Sequence, residues 1–519
     1  MRKMLLSLAS AALLASACTS SAMPASSSFQ GVDPGHHQPT PAPVWPAASA
    51  GAGPAGPGAT ATPYGGVTYE DPGTNPWVDP ARDGESTFGL DVDTASYTIA
   101  QRYIAEGSQP DPASVRVEEW INAFPQGYPS PEAGVFSIVA DGGPTPFLED
   151  GEVLLRIGLQ ARDVSNGARQ RAALTFVIDT SGSMEQGGRL EIVKESIRIL
   201  VRGLDRNDRV AIVTFGDEAR VVLGPTPASH QNEILDALDG LHPGGSTNLE
   251  GGLRLGYDLA RQTLTENEID RVILASDGVA NVGLTDPDSI LGAIKRDADA
   301  GIELVSVGVG MGNYNDALLE RLADQGDGFY AYVNTREEAN RLFRDDLTST
   351  LETVALDAKA QVTFDRATVS AYRLVGYENR AIADQDFTNP GVAAGAIGAG
   401  HSVTALYALR LARGAGPHSH LATVSLRWTD PDGGDTAQIS RDVRTSDLAR
   451  TFGASNPYFR LDAIVATTAE LVRGSGLASA RWTIRDVADV ANREAELLPA
   501  NDEVHAFLDM LSNLGRLRN

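Results

Sequence analysis

The sequence predicts an α/β domain with a doubly wound, mainly parallel sheet, flanked by β-sandwich-like segments and followed by a C-terminal helical region. Three observations predict it. Between Arg171 and Leu351, short apolar runs alternate with stretches whose apolar residues recur at helical spacing. The first run, "AALTFVID" from Ala172 to Asp179, is continuously apolar, the mark of a strand covered on both faces. After Glu352 the pattern turns to apolar–polar alternation, and from about Pro457 it returns to helical periodicity.

At the N-terminus, Arg2 and Lys3 precede an apolar segment, Met4 to Leu14, too short to cross a bilayer as an ordinary transmembrane helix. Ala15, Ser16 and Ala17 lead to Cys18, the one cysteine in the chain. This arrangement resembles the bacterial lipoprotein signal, which implies a signal over residues 1–18 and a lipidated Cys18 as the mature N-terminus. Ordinary secretory cleavage near Ala17 is the alternative. Thr19, where an aspartate would retain the protein at the inner membrane, favours the outer membrane of a Gram-negative envelope. No later stretch is long and apolar enough to span a bilayer, so the expected state is lipid-anchored and extracytoplasmic. A single cysteine excludes an intrachain disulfide and a cysteine-cluster metal site. The formal net charge of -26 repels a phosphate backbone and sets nucleic acid aside as a general partner.

Residues 19–75 are rich in Pro, Ala, Gly and Ser and lack an apolar face. They bury too little surface to offset ordering entropy, which predicts a tether. An N-terminal flanking α+β region is expected over 86–165. In it, a helix capped by Asp93 or Thr94 runs to about Glu106, a second spans Ala113 to Phe124, and Val135–Ala140 and Glu152–Gln160 read as strands. The α/β domain fills 171–351, with "RVAIVTFG", the shorter "RVVLG", "DRVILASDG", "IELVSVGVG" and "GFYAYV" as its later strands. Asp316, Asp324 and Asp327 read as a solvated acidic helix face. A β-rich domain is expected over 352–450 and a helical region over 457–519. The strands before Arg171 and those after Glu352 share one habit, which raises the hypothesis that the α/β domain is an insertion in a sandwich.

In this architecture ligands bind beyond the carboxyl ends of the strands. There the stretch "FVIDTSGSMEQGG", Phe176 to Gly188, admits a nucleophile, a phosphate cradle or a metal site. A nucleophile needs a base and an oxyanion hole, and no G-x-S-x-G elbow surrounds Ser181. No G-x-x-x-x-G-K-[ST] phosphate loop occurs. Two further strand-end loops share the location: "HPGGSTNLEGGL" carries Thr247 and "ILASDG" carries Asp277. Hard divalent cations take oxygen ligands. Ser181, Ser183 and Thr247 offer neutral hydroxyl oxygens, and Asp179 and Asp277 add charge, directly or through waters. A shell dominated by hydroxyls leaves a cation electrophilic toward an incoming carboxylate.

"DTSGSM", "GGSTNL" and "SDG", in this order and this α/β setting, resemble the von Willebrand factor type A domain. In that family a D-x-S-x-S motif, a distant Thr and a distant Asp form the metal-ion-dependent adhesion site. The resemblance implies Asp179, Ser181, Ser183, Thr247 and Asp277 as ligands, magnesium or manganese (Mg2+ or Mn2+) as the ion, and a protein partner that presents Asp or Glu. "STFGLDVDTASYT", "VRVEEWINAF", "GNYNDALLERLADQGDGFYAYV" and "YRLVGYENR" are similar to a bacterial lipoprotein subfamily whose C-terminal domain is uncharacterised.

The expected function is therefore a membrane-anchored, metal-dependent protein-binding module without catalytic residues. The alternative is an accessory subunit that assembles or matures an envelope enzyme complex. A hydrolase within the C-terminal part is a third class, and nothing in that sequence supports it.

Overall fold

A computed structural model describes residues 69–517, except 70, 72, 91, 166, 266–267, 278–286, 311–315, 346–350, 391, 393, 432–433 and 478–480. The signal segment with Cys18 and the expected tether up to residue 68 lie outside the described residues.

The chain begins with β1 (Glu85–Gly89), α1 (Ala95–Ala105), α2 (Val117–Asn122), β2 (Phe136–Gly143) and β3 (Glu152–Ala161). The α/β domain follows: β4 (Arg171–Asp179), α3 (Arg189–Gly203), β5 (Arg209–Phe215), β6 (Ala219–Pro227), α4 (Gln231–Asp239), α5 (Leu249–Arg261), β7 (Glu268–Ser276), α6 (Pro287–Ala298), β8 (Ile302–Gly308), α7 (Asp316–Gln325), β9 (Tyr330–Tyr332) and α8 (Arg336–Asn340). Next come β10 (Thr353–Phe364), β11 (Val369–Val375), β12 (Ala381–Ile382), β13 (Gly395–Gly398), β14 (Ser402–Leu411), β15 (His420–Thr429) and β16 (Thr436–Arg444). Helices α9 (Pro457–Arg473), α10 (Ile484–Glu494) and α11 (Asp502–Leu517) close the described chain.

The sheet of the α/β domain has the order β6-β5-β4-β7-β8-β9. Only β6 runs antiparallel to its neighbour among these strands. Strand β4 is central, and every residue from Ala172 to Asp179 is buried, as its unbroken apolar run requires. Alternate side chains serve opposite faces. Phe176 and Ile178 meet Leu190, Val193 and Ile197 of α3. Val177 meets Leu253 and Tyr257 of α5 on the other face, where α7 and α1 also pack.

The remaining strands form two facing sheets. One runs β12-β1-β10-β15-β16 with β13 also on β10, and the other runs β11-β14-β3-β2. Phe88 of β1 is paired with Ala360 of β10, and Leu155 of β3 with Tyr407 of β14. Strands on both sides of the α/β domain thus pair with each other, and that domain enters between β3 and β10. The sheets meet in an aromatic core where Phe364 stacks on Tyr372 at 4.2 Å and Phe136 meets Trp428 at 5.0 Å.

Helices α2, α9, α10 and α11 cover the outer surface of β3 and β14, with Trp120, Phe124, Phe459 and Phe507 against Leu154 and Leu406. Helix α9 is buried nearly all round, and its buried Arg460, Asp462 and Glu470 are met by Ser455 O, Arg156 and Arg473. Helix α1 is shared: Tyr97 and Ile104 face this helical layer, while Ile99 and Tyr103 face the α/β domain.

Three readings of the sequence are corrected. The second helix starts at Val117 rather than Ala113, because Pro112 and the Asp111 carboxylate, which accepts from Ala113 N at 2.9 Å, fold residues 112–114 into a 3-10 turn. Strand β6 extends from Ala219 to Pro227, beyond "RVVLG". It is an edge strand, which tolerates the prolines that hid its length. Asp324 and Asp327 are not a simple solvated face. Lys295 Nζ lies 3.0 Å from both carboxylate oxygens of Asp327, and Arg380 Nη1 lies 2.7 Å from Asp324 Oδ1.

Candidate functional site

Strand β4 ends on Asp179, whose side chain turns back on its own loop. Asp179 Oδ1 accepts a hydrogen bond from Ser181 N at 2.8 Å, an Asx-type turn that bends the chain off the sheet. Asp179 Oδ2 accepts from Ser276 Oγ at 2.8 Å, which ties the ends of β4 and β7 together. Beyond the turn, the Ser181 and Ser183 hydroxyl oxygens stand 3.0 Å apart.

The Thr247 loop is fastened to this turn by backbone. Gly244 N donates to Thr180 O at 2.7 Å, and Gly182 N donates to Gly245 O at 3.0 Å. Gly245 adopts φ +85, and a Cβ there would fall 2.8 Å from the Asp217 carboxylate. That carboxylate accepts from Ser246 N at 2.8 Å and from Ser246 Oγ at 2.7 Å. Asn248 N donates to Gly216 O at 3.0 Å, and Asn248 Oδ1 caps α5 through Gly251 N at 2.9 Å. Thr247, between these anchors, is buried. The two loops are therefore positioned by main-chain bonds together with the Asp179, Asp217 and Asn248 side chains, and none of these bonds uses the Thr247 hydroxyl.

Asp277 follows β7 directly and is buried. Its Oδ2 accepts from Arg189 Nη1 at 2.6 Å, and the same nitrogen donates to Ser183 O at 3.3 Å. Arg189 is the first residue of α3, so this helix start links the serine loop to the Asp277 loop. Burial pushes the Asp179 carboxyl up to about 6. Hydrogen bonds from Ser181 and Ser276 oppose that shift, and the nearby Asp277 charge reinforces it. A buried carboxylate beside a second one is an environment that a cation relieves. Its companions are hydroxyl oxygens, so the donor set is all oxygen and fits a hard divalent ion.

The structure thus gathers Asp179, Ser181, Ser183, Thr247 and Asp277 at one edge of the sheet, while Cys18 lies outside the described residues. Two participants were not singled out from the sequence, Ser276 and Arg189. Arg189 did leave a signal, because a cation at the start of a helix opposes the macrodipole, which favours acids there. His242 lies in the Thr247 loop and is exposed, and three other histidines have partners elsewhere. His230 pairs with Glu233, His420 lies between Asp365 and Asp442, and His401 meets Phe329.

Residues 173–345 match the von Willebrand factor type A domain family. Residues 349–514 match a family described as "Uncharacterized protein YfbK, C-terminal", and residues 64–156 match one described as "von Willebrand factor". Over 437 residues the chain is 35% identical to the uncharacterized protein YfbK of Escherichia coli, covering 79% of this chain and 75% of that protein. It is 28% identical over 180 residues to an inter-alpha-trypsin inhibitor heavy chain of Homo sapiens, covering 33% of this chain and 19% of that one. A solved von Willebrand factor type A protein from Catenulispora acidiphila superposes with a TM-score of 0.43 at 17% identity, over 74% of this chain and 87% of its own.

Proposed function

The chain belongs to the YfbK family of bacterial von Willebrand factor type A proteins, and on that premise we propose that it is a membrane-anchored, divalent-metal-dependent protein-binding module. Asp179, Ser181, Ser183, Thr247 and Asp277 would hold Mg2+ or Mn2+. Bound there, the ion supplies an electrophilic position that accepts a carboxylate, so the partner is a protein presenting Asp or Glu. The chain's own residues set that chemistry. Three of the five donors are hydroxyls, which cancel none of the ion's charge, so its neutralisation rests on Asp179 and Asp277 alone. The backbone bonds between the Ser181 and Thr247 loops hold the donors in place before a partner arrives, which lowers the ordering cost of binding.

One observation carries this reading: a buried Asp179 with two hydroxyls on one side and a second carboxylate nearby, all at strand ends. The similarity of the α/β region to inter-alpha-trypsin inhibitor heavy chains supports an interaction role. The lipoprotein-like N-terminus supports anchoring through Cys18 to the extracytoplasmic face of an envelope membrane, the outer one in a Gram-negative cell.

Titration of the purified chain with Mn2+, wild type beside Asp179→Ala, tests the site. Equal binding by both would remove the metal from this place. Pull-down from solubilised envelopes with and without a chelator tests the partner. Proteins lost on chelation support a metal-dependent ligand, whereas chelator-resistant co-purification of one enzyme complex supports an accessory subunit instead.

A further inference from the structure

Arg189 is an expensive residue where it stands. It opens α3, the helix end that repels cations, and it is 5% exposed. Burying a guanidinium costs free energy that only a well-made partner returns. The surrounding chain is shaped to admit it. Gly187 and Gly188 both take left-handed backbone, φ 60 and φ 72, and deliver the chain into the helix at this residue. On the opposite side Gly310 takes φ +73, and a Cβ there would fall 2.1 Å from Arg189 Nε. The guanidinium then reaches Asp277 Oδ2 at 2.6 Å and Ser183 O at 3.3 Å, one ligand candidate's carboxylate and another's main chain.

We infer that Arg189 is a built-in counter-cation that trades the site's hold on its divalent ion for a stronger pull on the partner's carboxylate. This rests on the metal-binding reading above. With the arginine in place, the two carboxylates and one guanidinium carry a single net negative charge, and a divalent ion leaves the cluster positive. Without it, the same ion leaves the cluster neutral. The arginine is buried and engaged with Asp277, so it acts on an incoming carboxylate through charge and not by touching it. Low dielectric around the buried pair preserves that effect against screening. Arg189 is thus a residue that tunes the site, beside those that ligate.

The purified full chain, as wild type, Arg189→Met, Arg189→Gln, Arg189→Lys and Asp179→Ala, is titrated with Mn2+ by calorimetry. Acetate is then titrated into the manganese-loaded proteins, and displacement of metal-bound water is followed by proton relaxation. The uncharged variants are expected to bind Mn2+ about tenfold more tightly than wild type and, once loaded, to bind acetate at least about threefold more weakly. Arg189→Lys, which keeps the charge, is expected to track wild type. Damage to the fold weakens both steps together and cannot produce opposite signs. If Arg189→Met does not fold, Arg189→Gln, which retains a donor for Asp277, decides. Manganese affinity in the folded uncharged variant that equals or falls below wild type overturns the inference, and so does unchanged acetate binding. If Asp179→Ala abolishes binding in that case, the metal site stands and only the role of Arg189 falls. Wild type that binds no manganese overturns both.

Discussion

Gly256 of α5 lies so close to Val177 of β4 that a Cβ on the glycine would fall 2.3 Å from Val177 Cγ2. One turn earlier, a Cβ on Gly252 would fall 2.6 Å from Phe215 Cδ1. The two glycines, four residues apart, form the flat face on which α5 sits against the sheet. That seat fixes the height of the helix start, and with it Thr247. Gly256→Ala is expected to overpack this contact and to cost about 1–3 kcal/mol, despite the better helix propensity of alanine. Urea unfolding should show the loss, and Mn2+ titration should show weaker binding. Gly292→Ala in α6, whose nearest neighbour atom is 3.7 Å from the added Cβ, is the control and should be neutral or stabilising.

Thr247 yields a sharper expectation for the metal. Its loop is held by main-chain bonds of Gly244, Gly245 and Asn248, and none of these uses the threonine hydroxyl. Thr247→Val therefore removes one donor oxygen and leaves the loop anchored. The metal-free protein should keep its melting temperature. Saturating Mn2+ at about a hundredfold its Kd should stabilise wild type by about 2.7 kcal/mol. The variant should show little of that rise, and a chelator should bring the two proteins to the same value.

These residues also mark what was legible in the sequence. Asp179, Ser181, Ser183 and Asp277 were legible as candidates because apolar strand runs halt on them, whereas Thr247, in the loop between α4 and α5, was legible through the resemblance of its motif. The α/β alternation was legible for the same local reason. Arg189 was legible only as a cation out of place at a helix start, because its partner Asp277 lies 88 residues away and nothing in "GGRLEIV" names that partner. The pairing of Phe88 with Ala360 was legible only as a hypothesis. Period-two patterning tells which face of a strand is buried and does not tell which strand lies beside it. The helix at Val117 was misplaced because apolar spacing outweighed a proline and its preceding aspartate, whose turn consumed the first residues.

Arg380 offers a test of how the α/β domain is joined to the sandwich. Its Nη2 lies 3.1 Å from Asp93 Oδ2 and 3.1 Å from Glu320 Oε1, and its Nη1 lies 2.7 Å from Asp324 Oδ1. Glu320 and Asp324 belong to α7, whereas Arg380 lies just before β12. Arg116 and Asn379 also contact Glu320, so its charge keeps partners if the arginine is lost. Arg380→Met is therefore expected to cost about 3 kcal/mol, the low end of the range for a broken buried pair. Calorimetry should resolve the α/β domain melting ahead of the sandwich. A single unshifted transition would refute the clamp.

His401 supplies the pH dependence. Its ring meets Phe329 edge-on at 6.2 Å, across the same junction, and its Nδ1 is out of solvent with no hydrogen-bond partner among the described residues. Burial, reinforced by the Arg271 charge, pushes the imidazole down to about 4. The unfolded chain takes up that proton near about 6.5. Above that pH neither state is charged, and the histidine's contribution is fully present. As the pH falls toward 4, only the unfolded state gains the proton, and stability is lost. Asp462 works in the opposite sense. Burial pushes its carboxyl up to about 6, so its contribution is present below the unfolded value and lost as the pH rises through 6. The two trends overlap in wild type, and only a comparison separates them. Between pH 7 and pH 4.5, wild type should lose about 2 kcal/mol more stability than His401→Gln, which has no proton to gain. Asp462→Asn should deepen the acid-side loss, because it removes the opposing trend. Parallel urea-derived profiles for wild type and His401→Gln would show that the imidazole is solvated enough in the folded protein to titrate normally.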